Sequence, residues 1–221
     1  MRRLLFALSL PAVVLATLAA GCGTSEPAPA AGPTVGTAAP ASADTVVFAG
    51  GCFWCMEKPF EVLDGVYSVV SGFSGGTTPN PTYDEVANKR TDHFEVVEVV
   101  YDPAVVSYET LLQVFWHNID PLDDGGQFCD RGTPYRPAVF VNDAEQRAAA
   151  EATKARLADR FGEPVRVPVL DASPFYAAEA YHQDFYRTNP GHYNRYRSGC
   201  GRDARLEQLW GDAAGILGDA L

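Results

Sequence analysis

Two cysteines three residues apart, Cys52 and Cys55, follow a pair of glycines at the end of a short apolar run. The run at 46–49 is typical of a buried strand, and the segment after the glycines can form a helix. A cysteine at a helix N-terminus lies near unpaired backbone N–H groups, where the helix dipole favours thiolate over thiol. Because the thiolate is the nucleophilic form, the position of Cys52 predicts a reactive thiol. Phe53 and Trp54 add two aromatic rings beside it, although a free cysteine is also a common packing residue.

Polar residues near loops and strand ends are the candidates for acid–base chemistry. Glu95 lies near the start of a valine-rich segment, and a carboxyl group among apolar neighbours has a raised pKa that suits a general acid. Glu98 has similar neighbours in the same segment, so alternation alone does not single out Glu95. Tyr83 follows a loop rich in Gly and Pro, whereas Asp130 and Tyr135 lie in a second long loop. The residue types alone leave solvated or packing roles open for all of them.

The hydrophobic pattern predicts the order β-α-β-β-α-β, followed by a further helix, an edge strand and a long irregular C-terminal tail. This is the order of the ferredoxin-like split βαβ unit, so the predicted fold class is α+β. The predicted strands are 45–49, 66–73, 94–101, 137–141 and, at the edge, 165–170. The predicted helices are 52–63, 82–88, 108–117 and 144–161. Pro59 argues for a kink or a restart in the first helix, and Thr82 and Glu85 have the spacing of a capping box.

The composition excludes one class of partner. The chain has 221 residues and a formal net charge of −11, and its sequence contains no basic patch. Nucleic acid is therefore an unfavourable partner on electrostatic grounds. Once the N-terminal segment is removed, the length predicts one domain with a sizeable core. The sequence does not reveal the oligomeric state, and a monomer is the default expectation.

The N-terminal segment, 1–21, is typical of a secretory signal peptide, because two arginines precede an apolar stretch that ends in small residues. Its ending resembles the lipobox of bacterial lipoproteins, although Ala19 stands where that family usually has leucine. The resemblance implies cleavage before Cys22, a lipid on its sulfur, and anchoring to the cell envelope on the periplasmic side. The alternative is a plain Ala-x-Ala-type cleavage, after which Cys22 is either removed or left as a free cysteine. We expect export in both cases. Residues 22–44 predict a disordered tether, so the folded domain is expected at 45–221.

A set of short motifs resembles, in order, those of the A type of peptide methionine sulfoxide reductase. The motifs are Gly-Cys-Phe-Trp at 51–54, Gly-Phe-Ser-Gly-Gly at 72–76, Asn-Pro-Thr-Tyr at 80–83, His-Phe-Glu-Val-Val at 93–97, Val-Tyr-Asp-Pro at 100–103, Asp-Arg-Gly-Thr-Pro-Tyr-Arg at 130–136 and Tyr-His-Gln at 181–183. The resemblance covers almost all of 45–210, and an ordered set of this length is far more specific than one short motif. It implies reduction of the S epimer of methionine sulfoxide, free or in proteins, to methionine.

The resemblance also implies a role for each matching residue. Cys52 would attack the sulfoxide sulfur, and Glu95 would protonate the oxygen, which is a poor leaving group until it is protonated. Phe53 and Trp54 would cradle the substrate methyl group. Fixed donors stabilise charge that develops on the oxygen. The groups that would bind this oxygen and its water are Tyr83, Asp130 and Tyr135.

The second thiol is open to several assignments. Attack would leave Cys52 as a sulfenic acid, which condenses with another thiol to form a disulfide. The family usually resolves from a flexible, glycine-flanked tail, which favours Cys200. Cys55 is close enough in sequence to pair with Cys52, and Cys129 adjoins the oxygen-binding loop, so both stay open as alternatives. A thioredoxin-like donor would reduce the disulfide, oxidised exported proteins would be substrates, and no cofactor or metal is implied.

A thiol–disulfide oxidoreductase that uses Cys52 and Cys55 is the chief alternative. A Cys-x-x-Cys motif after a strand and at the start of a helix suits that chemistry. The thioredoxin-type order of elements does not follow, however, and Glu95 would then have no task. A lipoprotein that binds metal through its thiols is a further alternative, but the histidines lack ligand spacing to the one close thiol pair.

Overall fold

The computed structural model describes residues 39–215, so the predicted signal peptide, Cys22 and most of the predicted tether lie outside the described residues. The strands are β1 (Asp44–Gly50), β2 (Val66–Ser74), β3 (Phe94–Tyr101), β4 (Gly126–Gln127), β5 (Asp130–Arg131), β6 (Pro137–Val141), β7 (Val169–Asp171) and β8 (Tyr176–Ala177). The helices are α1 (Trp54–Glu61), α2 (Tyr83–Ala87), α3 (Tyr108–His117), α4 (Ala144–Phe161), α5 (Phe185–Thr188), α6 (Pro190–Gly199) and α7 (Arg202–Trp210).

Six strands form one sheet in the order β7-β6-β1-β3-β2-β8, while β4 and β5 form a separate hairpin. The four central strands are the split βαβ unit, in which β1 pairs antiparallel with both β3 and β6. The predicted α+β, ferredoxin-like fold is therefore confirmed. β7 extends one edge parallel to β6, and β8 extends the other edge antiparallel to β2.

An aromatic stack joins the sheet to two of its helices. The Phe48 ring of β1 lies 5.2 Å from the Phe60 ring of α1 and 5.0 Å from the Phe115 ring of α3. All three side chains are fully buried. Burial of a ring of this size contributes roughly 1.5–3 kcal/mol. The stack therefore holds α1, together with the turn that carries Cys52, firmly against the sheet.

α1 begins two residues later than the sequence predicts, at Trp54 rather than Cys52. Phe53 is its N-cap, and Cys52 lies in the preceding turn, where its carbonyl accepts the Cys55 N–H at 3.1 Å. Of the kink or restart predicted at Pro59, the restart does not occur, because one helix continues through this residue. Pro59 has no N–H to donate, so one intrahelical hydrogen bond is lost. Pro59 is buried, and the burial of its ring offsets that loss.

The edge strand and the tail also differ from prediction. The strand is Val169–Asp171, which is shorter than the predicted 165–170. Pro168 has no N–H for the ladder, and Arg166 donates its N–H to a loop carbonyl instead. The tail is more regular than predicted, because it contains β8, α5, α6 and α7.

Capping signals mark helix starts as predicted. Glu85 Oε2 accepts the Thr82 N–H at 2.9 Å, and the Thr82 hydroxyl accepts the Glu85 N–H at 3.4 Å, which completes the capping box of α2. Ser107 caps α3, and the bounds of α3 and α4 equal the predicted ones. None of the helices within residues 39–215 combines the length and the apolar character that a membrane span requires.

Candidate active site

A cavity of about 90 Å³ brings together side chains from segments that are far apart in the chain. Its walls are Cys52, Phe53, Trp54, Tyr83, Glu95, Asp130, Tyr135 and Tyr196. All of these except Tyr196 are residues that the sequence singles out. Cys200 lies at the margin, with its Sγ 3.7 Å from Asp130 Oδ2.

The glycine turn after β1 lets the chain approach its neighbours closely. Gly51 has a φ of +84°, which favours glycine. A Cβ on Gly51 would lie 2.6 Å from Gln127 Cβ, and a Cβ on Gly50 would lie 2.5 Å from Met56 Sδ. Only glycine fits both positions without displacing a side chain. The two glycines thus place Cys52 at the floor of the cavity.

Glu95 is a buried acid that faces this turn. It accepts the backbone N–H of Phe53 through Oε2 at 3.1 Å. Burial raises the pKa of Glu95 to about 8, although the Phe53 hydrogen bond opposes that shift and the nearby Asp130 charge adds to it. At neutral pH the carboxyl group is therefore largely protonated and can supply a proton. Glu98, which alternation could not exclude, is only partly buried and does not line the cavity.

Cys52 and Cys55 form a buried, hydrogen-bonded thiol pair. Burial raises the pKa of Cys52, and the hydrogen bond to Cys55 and the charge of Glu95 add to the shift. The hydrogen bond from Cys52 lowers the pKa of Cys55 to about 6, against the effect of burial, and the charge of Arg202 assists. In the resting site the proton therefore stays on Cys52. The sequence predicts that the helix dipole favours a thiolate at Cys52, and the structure gives the opposite result. Cys52 precedes α1 and is buried, so desolvation favours its neutral thiol.

The tyrosines of the cavity are proton donors. Burial and nearby acids raise the pKa of Tyr83 to about 12, and the same causes raise those of Tyr135 and Tyr196 further. The Tyr196 hydroxyl donates a hydrogen bond to Asp130 Oδ2. Burial raises the pKa of the Asp130 carboxyl group, and that hydrogen bond opposes the shift. The hydroxyls thus stay protonated at physiological pH and can donate to an oxygen in the cavity.

The aromatic wall is held by a histidine. Trp54 Nε1 donates to His182 Nδ1 at 3.0 Å, and the Trp54 ring stacks on Phe185 with centroids 3.7 Å apart. Burial lowers the pKa of His182 to about 4, so the ring is neutral, and its proton is on Nε2. The His182 ring also lies 5.0 Å from Phe53 and 4.2 Å from Tyr83. One neutral ring therefore braces three residues of the site.

A disulfide joins Cys129 to Cys200, with their Cα atoms 4.9 Å apart. Cys200, the favoured partner of Cys52 in the sequence argument, is thus bonded to another cysteine in this structure. Cys129 is exposed, and its Sγ lies 3.7 Å from Asp130 Oδ1. The structure therefore contains one oxidised pair at the rim of the cavity and one reduced, buried pair, of which Cys52 lines the cavity.

Tyr196 and Arg202 are site residues that the sequence does not single out, and His182 lies in the Tyr-His-Gln motif at 181–183 without a role predicted for it. Tyr196 lies four residues before Cys200, a helical spacing that puts it on the same side of α6 as this C-cap residue, but the irregular appearance of the tail hides that signal. Arg202 is 1% exposed and donates to Gly50 O at 3.0 Å and to Asn118 O at 2.8 Å. Nothing in the sequence pattern marks this arginine as buried, because arginines are mostly exposed.

A buried thiol pair, a protonated acid and tyrosine hydroxyls around one small cavity define a cysteine-dependent redox enzyme. The family model for peptide methionine sulfoxide reductase matches residues 44–214, which is nearly the whole described segment. The chain therefore belongs to the peptide methionine sulfoxide reductase family.

Relatives are similar over most of their length. Peptide methionine sulfoxide reductase MsrA of Bacillus subtilis is 51% identical over 170 residues, which cover 76% of this chain and 96% of that protein. Peptide methionine sulfoxide reductase MsrA 2 of Caulobacter vibrioides is 50% identical over 182 residues, which cover 80% and 92% respectively. The structure of methionine sulfoxide reductase A of Corynebacterium diphtheriae matches with a TM-score of 0.62 at 33% identity, over 68% of this chain and 77% of that one.

Proposed function

We propose that the protein is a peptide-methionine (S)-S-oxide reductase, which converts the S-sulfoxide of methionine, free or within proteins, to methionine. The observation that carries the proposal is the meeting of Cys52 with a protonated Glu95 and with tyrosine hydroxyls in one cavity. The names and the similarity of the relatives support the same activity.

The cavity recognises the end of the side chain. A volume of about 90 Å³ admits a methyl sulfoxide group and leaves the rest of the substrate outside. The methyl group packs against Phe53 and Trp54, and the oxygen accepts hydrogen bonds from Tyr83 and Tyr135. The sulfoxide sulfur is a stereocentre, so a site that fixes its methyl group, its oxygen and the direction in which the rest of the substrate leaves the cavity admits one epimer.

The chemical step transfers the oxygen from methionine to Cys52. The Cys52 proton passes to Cys55 along their hydrogen bond, and Cys52 Sγ then attacks the sulfoxide sulfur. Glu95 gives its proton to the sulfoxide oxygen, so the oxygen leaves methionine as the hydroxyl of a Cys52 sulfenic acid. Methionine is reduced by two electrons, and Cys52 is oxidised by two.

Cys55 is already hydrogen-bonded to Cys52 and is therefore placed to resolve the sulfenic acid. Its attack on Cys52 forms a disulfide and releases water. Cys200 and Cys129 then reduce that buried disulfide by thiol exchange and become disulfide-bonded themselves. A relay of this kind would leave Cys52 and Cys55 free and Cys129 joined to Cys200, and the same pairing in the structure supports the proposal. The exposed Cys129 is the sulfur that a thioredoxin-like dithiol reaches.

The order of disulfides is the test of the relay. Reduced protein is given one equivalent of substrate, quenched with acid at intervals and mapped by mass spectrometry. Cys52–Cys55 is expected first and Cys129–Cys200 last, and a variant with both Cys129→Ser and Cys200→Ser is expected to stop at the first disulfide. Direct formation of Cys52–Cys200 as the first product would instead make Cys200 the resolving thiol.

We also propose that the protein is exported and is held on the cell envelope by a lipid on Cys22, so that it repairs oxidised exported proteins. The support is the composition of residues 1–22, which lie outside the described part of the chain. Metabolic labelling with a fatty acid is expected to mark the wild-type chain and not the Cys22→Ala variant. Equal labelling of both, or a chain retained in the cytoplasm, would contradict the proposal.

A further inference from the structure

Three metal-binding groups meet at the rim of the cavity. The Sγ atoms of Cys129 and Cys200 and a carboxylate oxygen of Asp130 all lie within 4.8 Å of one another. Within residues 39–215 this is the one group of three or more cysteine, histidine or acidic side chains that lie this close together. The two cysteines are 71 residues apart in the chain, so no sequence spacing could reveal the cluster.

The carboxylate already lies at ligand spacing from both sulfurs. Asp130 Oδ1 is 3.7 Å from Cys129 Sγ, and Asp130 Oδ2 is 3.7 Å from Cys200 Sγ. In a tetrahedral site with typical zinc–sulfur and zinc–oxygen bonds, sulfur and oxygen ligands are about 3.5 Å apart. The sulfurs are bonded to each other in the oxidised form, and reduction frees both to move apart around an ion.

We propose that reduction of the Cys129–Cys200 disulfide creates a site for one thiophilic divalent cation of the zinc class, held by both thiolates and the Asp130 carboxylate. A dithiol reductant supplies two electrons and two protons to the disulfide and becomes a disulfide itself. The cation then displaces the two thiol protons and leaves a fourth position for water. The oxidised form has no thiolates to offer, so the site exists only in reduced protein.

The surroundings suit such an ion. Two thiolates and one carboxylate carry three negative charges, and a divalent cation removes most of their mutual repulsion. The Tyr196 hydroxyl bonds to the Asp130 carboxylate from outside the cluster and fixes its orientation. The exposed Cys129 gives the ion a direct path from solvent.

Metal binding here has a consequence for the proposed reductase, and this consequence rests on the proposed function. Asp130 lines the cavity, and Cys129 and Cys200 belong to the relay. An ion on all three stops both oxygen binding and thiol exchange. The reduced enzyme would therefore be switched off reversibly when free thiophilic metal rises.

The test uses a chain in which Cys129 and Cys200 are the only cysteines left. The full chain with Cys22→Ser, Cys52→Ser and Cys55→Ser is reduced, freed of reductant without air, and titrated with Cd²⁺ while thiolate-to-cadmium absorption is recorded. We expect one Cd²⁺ per reduced chain, competition by Zn²⁺, and no absorption when the disulfide is intact. The same absorption in oxidised protein, or none in reduced protein, would overturn the proposal.

Asp130→Asn in that background separates a three-ligand site from a simple dithiol. Loss of a residue that only supports a metal ligand typically weakens metal affinity by about 10- to 100-fold. Because Asp130 is a direct ligand in this proposal, we expect the dissociation constant to rise at least about tenfold. Asp124→Asn, an exposed acid of the same loop, is the matched control and should leave the constant unchanged. An unchanged constant in Asp130→Asn would refute the role of the carboxylate. Because binding is read from absorption, a failure of reductase activity would count against the proposed function and not against the metal site.

Discussion

The backbone N–H of Phe53 donates to Glu95 Oε2 at 3.1 Å, so the residue after the reactive cysteine is tied directly to the proposed acid. Phe53 is also the N-cap of α1. Any shift of the turn that carries Cys52 therefore shifts the acid or breaks this bond. The protein fixes thiol and acid relative to each other through one backbone group, which is the preorganisation that proton transfer requires.

Glu95→Gln is expected to keep the Phe53 hydrogen bond and lose the proton. The amide oxygen can still accept the Phe53 N–H, but the side chain cannot act as an acid. The rate of the chemical step should fall roughly 10²- to 10⁴-fold. Rapid-quench measurement of methionine formed in a single turnover gives this rate, and a loss below about threefold would exclude Glu95 as the acid.

The same residue predicts how stability depends on pH. Burial raises the pKa of Glu95 from its ordinary 4.5 to about 8, so between these values the folded protein binds more protons than the unfolded chain. The contribution of Glu95 to the unfolding free energy is then fully present below pH 4.5 and is lost as pH rises to about 8. Urea unfolding of wild type and Glu95→Gln between pH 5 and 9 should show a steeper decline in wild type, while the variant keeps only the part that comes from other buried acids such as Glu57, whose pKa burial also raises to about 8. Parallel curves would contradict the assigned protonation state.

Removal of Cys55 should remove the thiolate that forms near pH 6, because that thiolate is on Cys55. Cys55→Ala also removes one cause of the raised pKa of Cys52, but burial, the largest cause, and the charge of Glu95 still oppose a thiolate at Cys52. In Cys22→Ser protein with the Cys129–Cys200 disulfide intact, thiolate absorption should rise near pH 6 when both thiols are present. In Cys55→Ala the midpoint should move above the ordinary cysteine value of about 8.5. A midpoint that stays near 6 would show that Cys52 holds the thiolate by itself.

The charge of Arg202 is expected to stabilise the Cys55 thiolate from its position next to the glycine turn. Its guanidinium donates to Gly50 O at 3.0 Å, and its charge lowers the pKa of Cys55. Arg202→Met removes the charge at similar length, so the thiolate midpoint should rise and alkylation at pH 7 should slow by several-fold. Arg205→Met is the matched control. Arg205 lies in the same helix as Arg202, and its Nε pairs with Asp120 Oδ2 at 2.7 Å. An equal effect of both variants would point to general loosening of α7 instead of a specific charge effect.

His182→Phe should weaken substrate binding more than chemistry. The change keeps an aromatic ring but removes the acceptor of the Trp54 N–H, a hydrogen bond worth about 1 kcal/mol. KM for a sulfoxide peptide should rise roughly fivefold with little change in kcat. A plot of wild-type kcat/KM against pH should show no step from His182 between pH 5 and 8, because the pKa of this histidine is already lowered to about 4. A large fall in kcat with an unchanged KM would assign His182 to the chemical step.

Much of this architecture follows from local signals. The bounds of β3, α3, β6 and α4 match those predicted from periodicity and capping residues, because each element has a regular apolar face and a clear end. The sequence pattern does not predict the start of α1 or the bounds of the edge strand correctly, since both depend on tertiary contacts near prolines and glycines. The tail appeared irregular because its short helices are polar and gain stability mainly from packing on the domain.

The cavity residues were predictable for a different reason. Strand alternation could not separate Glu95 from Glu98, and only the resemblance to a known family pointed to Glu95. The structure supplies the physical difference, since Glu95 is 1% exposed beside Phe53 and Glu98 is not fully buried. Arg202 and the Cys129–Cys200 pair could not be found from sequence, because long-range contacts alone bring them to the site.

The most direct measurement of the central claim is a single turnover with the two separated epimers of a methionine sulfoxide peptide. Fully reduced protein without external reductant should form methionine from the S epimer, with two thiols lost for each methionine, and none from the R epimer. Cys52→Ser should form no methionine under the same conditions. Turnover of both epimers alike, turnover by Cys52→Ser, or rapid exchange of a model disulfide with no turnover of either sulfoxide would contradict the account. The last of these results would favour a thiol–disulfide oxidoreductase.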